Sequence, residues 1–248
     1  MIDNRLIILR KKIRENKKII IDTILENHES NICVFCGSED NLTKEHVLPK
    51  WAFGNCQDKY FTTKLNGLGQ RYSRTTVPAC FNCNSNILGY LEYYLEQKFM
   101  NLKLSTEFFD EPTIEKIIIW LEIIDYKFQI LNLRRKFIKI KGKDFIPYLA
   151  KFPLSIMQAD ESTSPSKVFS NVRNALHRIS IKSKTRKINS LVIFETENKG
   201  FHFFNKLNEF LFVELPDHAI ALFYFYNQEF DAPNKSHEKA MEIIKKVY

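Results

Sequence analysis

The sequence predicts an α+β protein, and three observations predict it. Apolar residues recur at helical spacing near the N-terminus (Leu6, Leu9, Ile13, Ile20, Ile24, Leu25) and again from Ile114 to about Leu131. Two Cys-x-x-Cys pairs, Cys33/Cys36 and Cys80/Cys83, bracket a stretch that reads as short strands and loops. From Leu191 onward, β-branched and aromatic runs alternate with turn signals.

Size and composition set the outer bounds. A chain of 248 residues buries a substantial core as one large or two modest domains. The apolar and charged fractions, 44% and 27%, are those of an ordinary globular protein. The formal net charge of +8 suits a polyanionic partner, yet it is spread along the chain, so any nucleic-acid surface must come from folding. Four of the five cysteines stand in two close pairs, which argues for metal in a reducing compartment rather than a disulfide framework. Cys56 reads as a small buried or semi-buried thiol, not a nucleophile, since no catalytic partner stands beside it. The early acid Asp3 and the short apolar run Leu6 to Leu9 do not make a signal peptide, and no apolar run is long enough to span a bilayer. The expected location is cytoplasmic.

Element by element, residues 4–27 read as a helix whose centre, Arg10 to Lys18, is strongly basic; that face either contacts phosphates or is simply solvated. His28 to Asn31 forms the loop into the first cysteine pair. A short strand is expected to end near His46, followed by a loop at Trp51–Gly54 and a second strand across Tyr60 to Leu65. Asn66-Gly67 marks a turn, and Tyr72 to Val77 supplies a returning strand. Beyond Cys83, the spacing of Ile87, Leu88, Leu91, Leu95 and Phe99 predicts a helix that Asn82, Asn84 or Ser85 can cap. Asp110 to Thr113 opens the next helix, apolar on most faces and therefore buried. Asn132 to Lys143, part-alternating basic and apolar, reads as a strand, and Asp160 to Ser166 as a loop. The C-terminal part then runs in strands at Leu191–Glu195, Phe201–Phe204, Phe210–Val213 and Ala219–Tyr226, with a turn at Asn198–Gly200 and a closing helix from Ser236. His202 and His218 read as strand residues, and His28, His177 and His237 as surface groups. The resulting division is 1–30, a basic helix; 31–105, a zinc-bearing module; and 106–248, an α+β C-terminal domain.

The chemistry concentrates between the cysteine pairs. Cys33, Cys36, Cys80 and Cys83 read as one four-thiolate zinc site, since two such pairs present four sulfurs to one tetrahedral ion. Four thiolates close the coordination sphere, so this zinc is structural. Between the pairs lies Glu45-His46-Val47-Leu48-Pro49, and Asn84 follows the last cysteine directly.

At these residues the chain resembles the HNH (ββα-metal) endonuclease family, in particular its zinc-carrying members similar to phage endonuclease VII. The resemblance rests on Glu45-His46-Val47-Leu48-Pro49 and on Cys80-Phe81-Asn82-Cys83-Asn84, and covers a quarter to a third of the chain. It implies a β-hairpin and helix that hold one catalytic divalent ion (Mg²⁺ or Mn²⁺), with Glu45 and Asn84 as its ligands and His46 as general base. Where the family carries a middle Asn, this chain has Thr75-Thr76-Val77, and Asn66 is the nearest Asn upstream. The activity so implied is phosphodiester hydrolysis, in DNA ahead of RNA, with prokaryotic restriction or anti-phage defence as the setting. Two rivals stand beside it: a zinc-stabilised nucleic-acid-binding module without catalysis, and an RNA-cleaving effector. The C-terminal domain is left to bind nucleic acid, a regulatory protein or a second copy of the chain.

Overall fold

The computed structural model describes residues 4–26, 31–56, 60–62, 69–101, 109–137 and 165–247. It is a mixed α+β structure of helices and antiparallel sheets. The His28 loop, the Asn66-Gly67 turn, Asn66 itself and most of the Asp160 loop lie outside the described residues.

Helix α1 (Asn4–Glu26) buries Leu6, Leu9, Ile13, Ile20 and Ile21, a stripe at helical spacing, and leaves Lys11, Arg14 and Lys18 exposed. The cysteine-bearing region is built on a two-stranded antiparallel hairpin of β1 (Leu42–His46) and β4 (Thr76–Cys80), in the register Leu42↔Cys80 to His46↔Thr76. Between them, β2 (Tyr60–Thr62) and β3 (Gly69–Arg71) form a second small hairpin. The strand expected over Tyr72–Val77 is interrupted. Tyr72–Arg74 makes a 3₁₀ turn that the Thr75 hydroxyl closes by donating to the Arg71 carbonyl (2.7 Å), and the strand begins only at Thr76.

The helix after Cys83 forms in two parts, a π-helical turn (Asn82–Leu88) running into α2 (Gly89–Met100). None of the three expected side-chain caps forms. The Cys80 sulfur takes that role, accepting the Cys83 backbone N–H at 3.5 Å, while Asn84 and Asn82 bond Thr43 and Asn86 instead. The sulfur thus meets an amide of the first turn that has no partner within the helix.

Helix α3 (Glu111–Phe137) begins at the expected boundary, where the Asp110 carboxylate caps it by accepting the Thr113 N–H at 3.1 Å. It runs past Leu131, so residues 132–137 continue the helix instead of starting a strand. Leu133, Arg134, Arg135 and Lys136 are good helix formers, and six residues of part-alternation are too few to outweigh them. Residues 138–143 of the expected strand lie outside the described residues. Helix α3 packs on α2, on β4 and on α4 (Pro165–Ser180), which also meets α1.

The C-terminal strands β5 (Leu191–Glu195), β6 (Phe203–Lys206), β7 (Phe210–Leu215) and β8 (Ile220–Phe225) form one antiparallel sheet in the order β5-β8-β7-β6. The segment after Asn198–Gly200 therefore pairs with β7 and does not return along β5. Alternation along β8 explains why the sheet is buried on both faces. Leu222 and Tyr224 point into the main core with Trp120 and Tyr126, whereas Ala221, Phe223 and Phe225 face a second cluster under α5 (Pro233–Val247). Each fully buried Phe, Leu or Ile contributes about 1.5–3 kcal/mol. The main cluster is continuous from Leu9 of α1 through Cys33 and Phe53 to Tyr224, so residues of all three sequence ranges share it.

Among the described residues, no helix is long and apolar enough to cross a membrane.

Candidate functional site

The hairpin register explains how distant cysteines meet. Cys80 ends β4 opposite Leu42, and the Val34 N–H donates to the Pro78 carbonyl at 3.1 Å, which lays the first cysteine pair along the same strand. The four cysteine Sγ atoms consequently lie within 4.8 Å of one another, with Cys36 and Cys80 at 3.6 Å. Tetrahedral zinc with bonds of about 2.3 Å requires sulfur–sulfur separations of roughly 3.8 Å, so this donor set can hold one metal ion such as zinc. The sulfurs already act on one another. Hydrogen bonds from Cys33 and Cys83 bring the Cys36 thiol down to about 2, and the bond to Cys36 pushes Cys33 up to about 12.

Beside this cluster opens a cleft of about 270 Å³, lined among others by Glu45, His46, Tyr72, Asn84, Glu92 and Tyr93. The three residues singled out in the sequence are thus brought to one place, His46 and Glu45 from the end of β1 and Asn84 from the π-helical turn. Their individual settings differ.

His46 is half-buried, its ring stacked on Tyr72 with centroids 3.8 Å apart and planes 7° from parallel. Its Nδ1 lies 3.2 Å from the Tyr72 carbonyl oxygen, which can only accept. The proton therefore sits on Nδ1 and the Nε2 lone pair is left for a proton from outside. Burial lowers the His46 pKa below the ordinary histidine value, outweighing the opposing pull of the Tyr72 carbonyl and Glu45, so the ring is neutral at neutral pH. Those are the requirements of a base.

Asn84 donates its amide to the Thr43 hydroxyl at 2.7 Å, and its amide oxygen remains the atom able to accept or ligate. Thr43 and Glu45 stand on one face of β1, and Lys44 and His46 on the other. Val47 still donates to the Thr75 carbonyl at 2.9 Å, but β1 ends at His46 and the chain bends at Val47 and Leu48. The buried Thr75 opens the stretch Thr75-Thr76-Val77 that leads to the second cysteine pair.

Glu45 faces inward and is only 4% exposed. Its carboxylate is ion-paired with Lys127 of α3, an ammonium with no exposed surface. Lys127 also donates to the His46 carbonyl at 2.9 Å and reaches Glu92 of α2 at 3.5 Å. Burial alone would pull the Lys127 pKa down, but the two carboxylates raise it above the usual lysine value. Glu92 also moves up, but there burial wins over the attraction of Lys127 and pushes the carboxyl up to about 7.

Lys127, Glu92 and Tyr72 were not found from the sequence. Lys127 is one of several charges in a helix apolar on most faces, and a buried charge demands a partner, but nothing in the sequence says which of them is buried or by what it is met. Glu92 lay in the helix after Cys83 without a motif, and Tyr72 acts through its ring face and its backbone carbonyl, for which sequence carries no signal. Of the other histidines, neither His202 nor His218 lies in a strand. His218 sits in a 3₁₀ turn (Pro216–His218) against Trp51 and Phe99, and His202 bonds Glu214 at 2.8 Å just before β6. His177 and His237 are exposed as expected. Cys56 is half-buried and its sulfur accepts the Phe201 N–H at 3.3 Å.

No family model, no curated protein and no solved structure matches this chain.

Proposed function

We propose that the protein is a metal-dependent HNH-type endonuclease that hydrolyses phosphodiester bonds in DNA, with a structural zinc at the four cysteines. The observation that carries this reading is the convergence of Glu45, His46 and Asn84 on one cleft beside the cysteine cluster. A β-hairpin ending in His46 and a helical turn carrying Asn84 supply the three groups.

Each residue has work to do in such a reaction. His46, held as the Nδ1–H tautomer by the Tyr72 carbonyl and clamped by its ring, takes the proton from the attacking water at Nε2. Lys44 and Lys50 line the same cleft and draw the phosphodiester towards it. The Glu45 carboxylate and the Asn84 amide oxygen are hard donors that suit Mg²⁺ or Mn²⁺. When bound, such an ion neutralises charge on the phosphate and assists departure of the leaving oxygen. The zinc site ties the first cysteine pair to the start of the Asn84 turn, and so fixes Asn84 relative to His46.

A rival reading, a zinc-stabilised module that binds nucleic acid without cutting, draws on the pairing of Glu45 with Lys127. The two separate in one experiment. Purified protein is incubated with supercoiled, linear and single-stranded DNA and with RNA, each with Mg²⁺ or Mn²⁺, beside His46→Ala. Metal-dependent cutting of DNA that disappears in His46→Ala supports the nuclease; binding without cutting in any mixture supports the rival.

A further inference from the structure

Two consecutive residues of helix α3 bond the backbone of the cysteine-bearing region. The Tyr126 hydroxyl donates to the Val34 carbonyl at 2.6 Å, inside the first cysteine pair. The next residue, Lys127, places its ammonium against the Glu45 carboxylate and the His46 carbonyl, with Glu92 as a third, longer contact. The ammonium is a three-donor group, and these contacts give it three acceptors. It thus grips both residues of the Glu45-His46 dipeptide at once, one by its side chain and the other by its backbone, from an element some eighty positions away in the sequence. A lysine bearing no exposed surface costs several kcal/mol of desolvation, so a purely apolar residue would pack there more cheaply. What the ammonium adds is direction: it fixes which way the Glu45 carboxylate points and how the chain leaves β1.

We propose that Lys127 is a positioning residue of this site, which makes α3 part of the nuclease machinery. The inference rests on the nuclease reading above. Lys127 touches neither water nor phosphate; it acts through Glu45 and the His46 backbone. Shifts of about 1 Å at a reacting group cost on the order of a hundredfold in rate, and that is the size of effect expected.

The test uses the full chain loaded with zinc, as wild type, Lys127→Met, Lys127→Ala and His46→Ala. Single-turnover cleavage of plasmid DNA with Mn²⁺ is measured beside DNA affinity and zinc content. Lys127→Met is expected to cut about a hundredfold more slowly, with DNA affinity within about twofold of wild type and zinc retained. Ethylammonium added to Lys127→Ala is expected to restore part of the rate, whereas ethanol, its uncharged counterpart, restores none. A cleavage rate in Lys127→Met within about threefold of wild type overturns the proposal and leaves the nuclease reading standing, provided His46→Ala is dead. Loss of DNA affinity equal to the loss of rate also overturns it, because that is a general structural defect. Wild type that cuts nothing sinks both. Should neither Lys127 variant fold, ¹⁵N-lysine NMR of the wild type decides: a slowly exchanging ammonium signal that moves in Glu45→Gln is expected, and its absence refutes the fixed contact.

Discussion

Replacing Cys80 and replacing His46 perturb neighbouring parts of one hairpin, yet the consequences should differ sharply. Cys80→Ala removes one of four sulfurs that lie within 4.8 Å of one another. A structural zinc site supplies on the order of 10 kcal/mol or more in small zinc domains. That equals the whole net stability of a typical domain, about 5–15 kcal/mol. The Cys80 sulfur also accepts the Cys83 N–H, so the start of the Asn84 turn loses its cap together with one sulfur of the cluster. His46→Ala, by contrast, gives up a ring stack worth about 0.5–1.5 kcal/mol and a hydrogen bond worth about 1 kcal/mol. At roughly 2–4 °C per kcal/mol for a chain of this size, the histidine variant should melt roughly 3–10 °C lower. The cysteine variant should melt at least about 15 °C lower or show no cooperative transition. Zinc per chain, by metal analysis, should stay at the wild-type value in His46→Ala and fall in Cys80→Ala. Equal thermal losses in the two variants, or full zinc retention in Cys80→Ala, would refute the division of labour between the two sites.

Other expectations follow from single contacts. Tyr126→Phe removes the hydroxyl that bonds the Val34 carbonyl in a fully buried setting and should cost about 1–3 kcal/mol by urea unfolding; a change below about 0.5 kcal/mol, the level of ordinary surface substitutions, would contradict that contact. Lys184 pairs with Glu122 at 2.6 Å in the core, with Tyr224 also donating to Glu122 at 3.0 Å. Lys184→Met strands that carboxylate and should cost about 3–5 kcal/mol. The double variant Lys184→Met/Glu122→Gln should recover most of the loss, and failure to recover would show that the charge was not the problem. Tyr72→Phe keeps the ring under His46 and the backbone acceptor, so cleavage should match wild type. Tyr72→Ala loses the stack and should cut roughly 2- to 13-fold more slowly; the same rate in both variants would mean that the stack does not hold the base.

Much of the fold was legible because local chemistry and global packing agree there. The stripe of α1, the Asp110 cap of α3 and the alternation of β8 each state their own burial. The motif residues were legible too, as Cys33, Cys36, Cys80 and Cys83 do assemble, and Glu45, His46 and Asn84 do line one cleft. What sequence hid was pairing between distant elements. The order β5-β8-β7-β6 depends on which strand finds which, and the turn at Asn198–Gly200 gave a local signal that the long-range pairing overrode. The break at Tyr72–Arg74 was hidden because a hydroxyl-to-backbone bond from Thr75 makes it. Likewise Glu45 read, through the resemblance, as a metal ligand with no sign of its ion-pair partner, because Lys127 lies far along the chain in a helix whose apolar faces masked its charges. Glu122, Asp125 and Lys127 are all buried in α3, and each is matched by an opposite charge delivered from another element.

The central claim is that His46 in this cleft takes the proton from water as a phosphodiester is cut. The most direct measurement is the rate of nicking of supercoiled plasmid in Mn²⁺ by wild type and by His46→Ala, each at saturating protein and each checked for DNA binding and zinc. The account predicts nicking by wild type that EDTA stops. In His46→Ala it predicts a loss of at least about a hundredfold, the lower end of what general acid–base groups contribute, with binding and zinc preserved. Equal nicking by the two proteins, or no cutting of any nucleic acid by folded wild type, would contradict it.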